Sequence, residues 1–409
     1  GKSQIDGMIN GSGNVWVINP AGIAFGAGSS VNVGGIFAAA AGNIENAAAL
    51  RDGTAMTPAF SSFAGTVDAS KGSFTADQVA LMGKTVNVNG GDFSGAKGLS
   101  VAASAGAMTV DEVEGGRVSV NIADFKADDS EVVLGGLSVD GDMSVKVSGN
   151  VIMGAKPTEN ESGKTRLLTA VQTEEPIIQA GNIDIEVGDD LEINHEIQST
   201  AGHVDVQVYG NMDVNADVTA KDYVSLAALG DVDINADVTS TDGSIGVLSL
   251  YGDVLVRPDR TVYASGTADI GAGYGGQGGS VLIYGNVMAE YGDVSLWAGM
   301  YRMNDGSLKL AGSGSGYVGI AASGSAMSRY ANVELLAGCE DGNGIEVFGG
   351  VYSGLGIYAG TCDADIYVGS TAEMGAYGAH AAEAIGRQIK ESGGFVQRIK
   401  ENSLFIFSQ

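Results

Sequence analysis

The sequence is poor in cysteine (two residues), proline (five) and histidine (three), and it has 21 lysines and arginines against 49 aspartates and glutamates. Each scarcity excludes something. Two cysteines are too few for a disulfide scaffold or a thiolate metal cluster and leave room for a single bridge. With only 5 prolines beside 65 glycines the chain is neither collagen nor a proline-rich linker, so the glycines read as turn residues. The formal net charge of -28 repels phosphate backbones and anionic headgroups, which argues against nucleic acid as a partner. No apolar run reaches the ~18 residues of a spanning helix, so no membrane span is expected. The opening Gly1-Lys2-Ser3-Gln4 lacks a charged leader with an apolar core, as a processed chain or a fragment would. Yet 44% of residues are hydrophobic and only 17% charged, so the acidity decorates a chain that buries apolar surface.

What the chain does have is repetition. From Gly181, GNIDIEVGDDLEINHEIQSTA, GHVDVQVYGNMDVNADVTAK and DYVSLAALGDVDINADVTSTD follow one another as blocks of 21, 20 and 21 residues. Ile183, Val204, Val224 and Ile245 are equivalent, as are Leu191, Met212 and Val232, then Ile193, Val214 and Ile234, and Ile197, Val218 and Val238. Apolar and polar residues alternate in short runs between Gly, Asp and Asn, the pattern of strands and turns. A unit of ~20 residues cannot bury its own apolar side, so successive units must stack. The fold class is therefore all-β, a parallel β-helix with Ile, Val and Leu ladders inside and Asp and Asn at its corners. A propeller blade needs ~40 residues, and sandwich strands do not repeat at a fixed ~20.

The same pattern, less regular, covers Gln78 to Val151 and Gly243 to Gly369, giving β-helix coils over 1–115 and their continuation over 116–371. Two stretches, 154–179 and 257–279, read as loops inserted between coils. At ~20 residues per coil and roughly 4.8 Å between coils the whole would be a rod on the order of 80 to 90 Å long. Residues 372–409 change character: Met374, Ala381, Ile385 and Ile389 fall at helical spacing, and a last strand SLFIFS follows. The expected tail is a short helical and strand cap over the last coil. In a sharper reading Leu404, Phe405, Ile406 and Phe407 pair with a neighbouring molecule, so that the chain self-associates head to tail into filaments.

Residues 10–40, NGSGNVWVINPAGIAFGAGSSVNVGGIFAAA, resemble the signature of filamentous haemagglutinin-type exoproteins. Val15-Trp16-Val17-Ile18 takes the place of the family's strand, Asn19, Pro20, Ala21 and Gly22 that of its turn, and Val31-Asn32-Val33-Gly34-Gly35 that of the next strand. Pro20 fixes φ and Gly22 permits a positive φ, so four residues specify one corner. The likeness resumes at Gln78 and covers roughly 5 to 115. Ala21 replaces the family's second asparagine, and the family's preceding amino-terminal strands are missing. The resemblance implies a secreted right-handed parallel β-helix, an outer-membrane partner for two-partner export, and a role as surface fibre or adhesin meeting a cell-surface receptor or glycan.

Catalysis would resemble that of β-helical polysaccharide lyases or glycosidases, which need clustered carboxylates. Asp205, Asp213, Asp217, Asp231, Asp233 and Asp237 recur at repeated positions, as scaffold residues do, so no catalytic pair is assigned and no enzyme is expected; the alternatives are such an enzyme or a secretion module cut from a larger exoprotein. No cofactor is expected; stacked acidic corners leave weak calcium binding open. His195, His203 and His380 lack metal-ligand spacing. Residues 271–276, GAGYGG, satisfy the dinucleotide pattern but lead into a strand and read as a flexible loop. Cys339 and Cys362 occupy nearly equivalent places on consecutive coils, where stacked Cα atoms lie near 5 Å apart, so a disulfide and an oxidising compartment are expected.

Overall fold

The computed structural model describes all residues except 56, 114–116, 154–176, 275–277, 303–307, 311–315, 339–342, 362–364, 370, 377–382, 387–388, 392–404 and 409. The chain is nearly all β, with 2% helix. It divides into two compact units, Gly1–Val208 and Tyr209–Gln409, each a parallel β-solenoid.

Unit Tyr209–Gln409 is the more regular. One coil runs through strands Val224–Ala228, Val232–Ile234 and Val238–Ser240, and the next through Ile245–Ser249, Val254–Val256 and Thr261–Ala264. The coils stack in register, Val224 beside Ile245, Val232 beside Val254 and Val238 beside Val262. Alternate residues point inward, so Val224, Leu226, Ile245 and Val247 are all buried. Each such side chain contributes roughly 1.5–3 kcal/mol by leaving water. Buried serines at the strand ends satisfy corner carbonyls: Ser240 Oγ donates to Asp222 O (2.6 Å) and Ser249 Oγ to Gly230 O (2.7 Å).

In unit Gly1–Val208 the regular coil of Ile183–Val187, Leu191–Ile193 and Glu196–Ser199 follows the same plan, and Ile183 pairs with Val204 as the repeat requires. The sequence-read ladders Met212 with Val232, Val214 with Ile234, and Val218 with Val238 are likewise neighbours in register.

Three expectations are corrected. The described residues of 257–279 are not a loop inserted between coils. Arg257–Arg260 is a tight turn (Arg260 N to Arg257 O, 3.3 Å) with Asp259 at φ 60°, and strands Thr261–Ala264 and Ala268–Ala272 continue the sheets. The supposed glycine loop thus starts inside a strand: Gly271 faces Trp297, and its missing side chain makes the space that the indole fills. Of the stretch 154–179 read as an inserted loop, the described residues 177–179 lie in strand Ile177–Ala180, which is paired with Glu196–Ser199. Finally, the described part of the tail is not helical. Met374 lies in strand Glu373–Ala376, Ile385 in Glu383–Gly386 and Ile389 in Ile389–Glu391, each paired in parallel with the preceding coil. Sheet pairing outweighs the weak helical preference of an alanine-rich stretch.

Candidate functional site

The N-terminal coils depart from the regular plan in their corner, their interior and their outer face. The corner is built by Asn19-Pro20-Ala21-Gly22. Gly22 N donates to Asn19 O (2.9 Å), closing a β-turn, and Ala21 N donates to Asn19 Oδ1 (3.0 Å). The other end of the Asn19 amide ties down the first strand, its Nδ2 donating to Gly1 O (2.9 Å) and Ser3 Oγ (2.8 Å). Gly22 has φ +112°, and a Cβ there would meet Thr66 O at 3.1 Å, so glycine is needed on both counts. Asn19 is thus a three-way clasp, and Ala21, with its amide held by Asn19, keeps the turn.

The interior is aromatic. Phe25, Phe37, Phe74 and Phe93 are fully buried, with Phe74 5.0 Å from Phe25, 6.0 Å from Phe37 and stacked at 4.8 Å on Phe93. The exterior is covered. Strands Ile36–Ala40, Gln78–Gly83 and Gly98–Ala103 form one face of these coils, and their outward residues are as buried as their inward ones. A four-stranded sheet of Gly42–Ile44, Ala59–Phe63, Met108–Val113 and Arg117–Ile122, every pairing in it antiparallel, lies on them. Phe60, Phe63, Met108, Val110, Val118 and Val120 pack on Ile36, Ala38, Ala40, Ala80, Met82 and Ala102. Small alanines let the second sheet approach. Asp128 fastens the corner beyond: it accepts Ser130 N (2.8 Å), Ala105 N (2.8 Å) and Ser104 Oγ (3.2 Å). Burial pushes its carboxyl up, but the Ser130 side chain together with these donors outweighs burial and holds it below the usual range.

Beside this covering sheet the face opens into a groove of ≈ 360 Å³, lined by Ser100, Val118, Ser119, Asp142, Lys146, Asp184, Glu186 and Asp205 among others.

Four of the six repeated acids, Asp217, Asp231, Asp233 and Asp237, hold the next coil. Asp237 Oδ1 accepts Thr261 N (2.8 Å), Asp217 Oδ1 accepts Asp237 N (3.0 Å), and Asp231 Oδ1 accepts Asp253 N (2.8 Å), each carboxylate holding the next coil. Asp233 forms a bidentate pair with Arg257, one bond at 2.8 Å, and stands beside Asp213 in register. Asp205 accepts from Gln207 (3.2 Å). Among the described residues no group of three or more His, Cys, Asp or Glu is arranged to hold a metal ion, and no helix is long and apolar enough to cross a membrane. His203 pairs with Asp184 (3.0 Å), and His195 Nδ1 meets Asn194 O (2.9 Å). His380 lies outside the described residues.

Cys339 and Cys362 also lie outside the described residues; the strands before them, Val333–Ala337 and Ile357–Thr361, are paired with Ala337 beside Thr361. Leu404 is outside as well. Phe405, Ile406 and Phe407 lie in strand Phe405–Ser408, which pairs within the chain with Glu383–Gly386.

A parallel solenoid whose opening coils carry the Asn19–Gly22 corner is the arrangement that the likeness to filamentous haemagglutinin-type exoproteins implies. Residues 1–185 match the family model described as the TPS secretion domain, so the chain carries a two-partner secretion domain of the filamentous haemagglutinin-like kind. Such proteins are exported exoproteins that engage an outer-membrane partner. No curated protein and no solved structure matches the chain.

Proposed function

We propose that this protein is an extracellular surface fibre or adhesin, exported through its N-terminal secretion domain, that meets a receptor or glycan with its outer faces and self-associates end to end. The observation that supports this reading is the secretion-domain match over 1–185 at the start of a chain made almost entirely of stacked coils. A non-enzymatic role agrees with the use of the repeated aspartates, whose oxygens hold backbone amides and Arg257. Among the described residues strand Phe405–Ser408 is the last of its sheet, and its outer edge supplies the self-association surface in this reading. A disulfide between Cys339 and Cys362 suits the oxidising compartment; equal masses before and after denaturing reduction and alkylation would overturn it.

The test is electron microscopy of the purified chain across a dilution series, beside a variant lacking residues 393–409, with binding to cultured cells and a glycan array read in parallel. Filaments in the full chain that are lost in the shortened but folded variant support assembly. Single particles at every concentration, with no cell or glycan binding, would sink both the fibre and the adhesin role and leave a secretion module alone.

A further inference from the structure

Among the described residues the covering sheet ends at strand Arg117–Ile122, and the groove begins there. Arg117–Ile122 is the outermost of the four strands and, among the described residues, pairs on one side only, with Met108–Val113. The hydrogen bond from Ala123 N to Ala107 O fixes the alternation of that antiparallel ladder. Asn121 and Ser119 therefore exchange bonds with Thr109 and Asp111, while the N–H and C=O groups of Val118, Val120 and Ile122 point away from the sheet. Ser100 Oγ confirms that direction by donating to Val118 O at 2.9 Å. Val118 and Val120 meanwhile turn their side chains down onto the alanine-rich face.

One strand further along, the bed changes. Beyond Ser100 its registered neighbour is Ser144, then Asp184, then Asp205. The parallel row runs Lys146, Glu186, Gln207. The floor therefore holds Asp142, Asp184, Glu186 and Asp205; Lys146 Nζ lies 3.6 Å from Glu186, His203 pairs with Asp184 (3.0 Å), and Asp142 accepts from Asn182. Asp205 Oδ1 is buried there and has no hydrogen-bond partner among the described residues. A buried carboxylate oxygen without a donor is costly, and a cationic or N–H donor brought into the groove would relieve that cost.

We propose that this groove accepts an extended, basic segment of a partner protein, which joins the covering sheet as a fifth strand along Val118, Val120 and Ile122 and sets alternate lysine or arginine side chains on Asp184, Glu186 and Asp205. Main-chain pairing supplies affinity and the acidic floor supplies selection. The side-chain period of two matches the bed: the strand already present sets valines on alanines, and the added strand sets cations on carboxylates. A second copy of this chain is a poor occupant because its net charge is -28. The inference concerns the groove alone and does not rest on the fibre or adhesin role.

The experiment uses the full chain and a blocked, dye-labelled heptapeptide of alternating lysine and valine, read by fluorescence anisotropy. Two control peptides accompany it, one with glutamate for lysine and one N-methylated at alternate amides. The lysine peptide should bind at least about tenfold more tightly than either control, and Asp184→Asn, Glu186→Gln and Asp205→Asn together should weaken it by about tenfold. Hydrogen exchange at Val120 and Ile122 should slow in its presence. Equal binding of the N-methylated peptide would overturn strand addition, because an acidic chain attracts any cation. Unchanged binding to the triple variant, whose substitutions leave the core intact, would overturn the site. So would a concentration-dependent dimer that shields Val120 and Ile122 without peptide, since it assigns the edge to a second copy.

Discussion

The N-terminal coils and the regular coils of Tyr209–Gln409 use the same three-sided plan for opposite ends. In the regular coils the outer side chains of the longest strands, Ser225 and Ala227 for example, stay partly exposed, the ladders are aliphatic, and acidic corners clip one coil to the next. In the N-terminal coils the corresponding face is buried on both sides, the interior is a phenylalanine cluster, and a second sheet lies on top. A solenoid held by repeats can be lengthened coil by coil. One held by a unique cluster and a unique cover presents a shaped surface that a partner can distinguish, as a secretion domain must.

The contrast breaks most sharply at Phe74. Phe74→Ala removes a ring touching three others and should cost roughly 3–5 kcal/mol, whereas Leu226→Ala in the regular coils should cost nearer the lower part of roughly 2–5 kcal/mol. The two tryptophans report separately, Trp16 on the first unit and Trp297 on the second. In single-tryptophan variants, Phe74→Ala should lower the urea midpoint seen by Trp16 and leave that seen by Trp297 in place. A common shift would show that the two units unfold as one.

Next in size is the cover. Met108 is fully buried between the second sheet and the alanine face, so Met108→Lys places an unpaired charge there at a cost of several kcal/mol. The coils beneath keep their own ladders. Hydrogen exchange should therefore quicken in Ala59–Phe63, Met108–Val113 and Arg117–Ile122 while Ile183–Val187 stays protected. Loss of protection in both would mean that the cover is needed for the coils to form.

A smaller effect separates charge from hydrogen bonding at the corners. Asp237→Ala leaves Thr261 N without its acceptor and should cost about 1 kcal/mol, as a lost helix cap does. Asp237→Asn keeps a carbonyl oxygen and should restore most of that, measured by the Trp297 midpoint. Equal losses in the two variants would give the carboxylate charge a role the geometry does not require.

These differences explain what the sequence discloses. The regular coils were legible because Ile183 and Val204, or Met212 and Val232, repeat at one spacing and so must share a ladder. The Asn19–Gly22 corner was legible because proline and glycine constrain φ locally. The covering sheet was not, since its antiparallel strands are drawn from separated stretches, Gly42–Ile44, Ala59–Phe63 and the pair Met108–Val113 with Arg117–Ile122, with no period between them. A signal was present: Ile36–Ala40 and Gln78–Gly83 break strict alternation, and a strand apolar on both sides must be covered on both sides. The tail misled for a related reason. An alanine-rich sequence such as that of residues 381–386 fits a helix locally, whereas the strand pairing of Glu383–Gly386 with Ile357–Thr361 is set by the coil before it.

The finest test concerns the clasp at Asp128, which has no counterpart in the acid corners that only hold a single amide. Its folded carboxyl is depressed, since burial raises it but the side chain of Ser130, the amides of Ala105 and Ser130 and the hydroxyl of Ser104 lower it further. A depressed carboxyl contributes stability that is fully present above the unfolded value of about 3.9 and is lost as pH falls through the lower folded value. Partial exposure keeps the contribution small. The Trp16 urea midpoint should therefore fall on acidification below about pH 4 more steeply in the parent than in Asp128→Asn, which cannot titrate. The Trp297 midpoint should show no difference between the two. Parallel acid limbs for Trp16 would mean that Asp128 is held no more firmly folded than unfolded, and the corner would then owe its geometry to Ser104 and Ser130 alone.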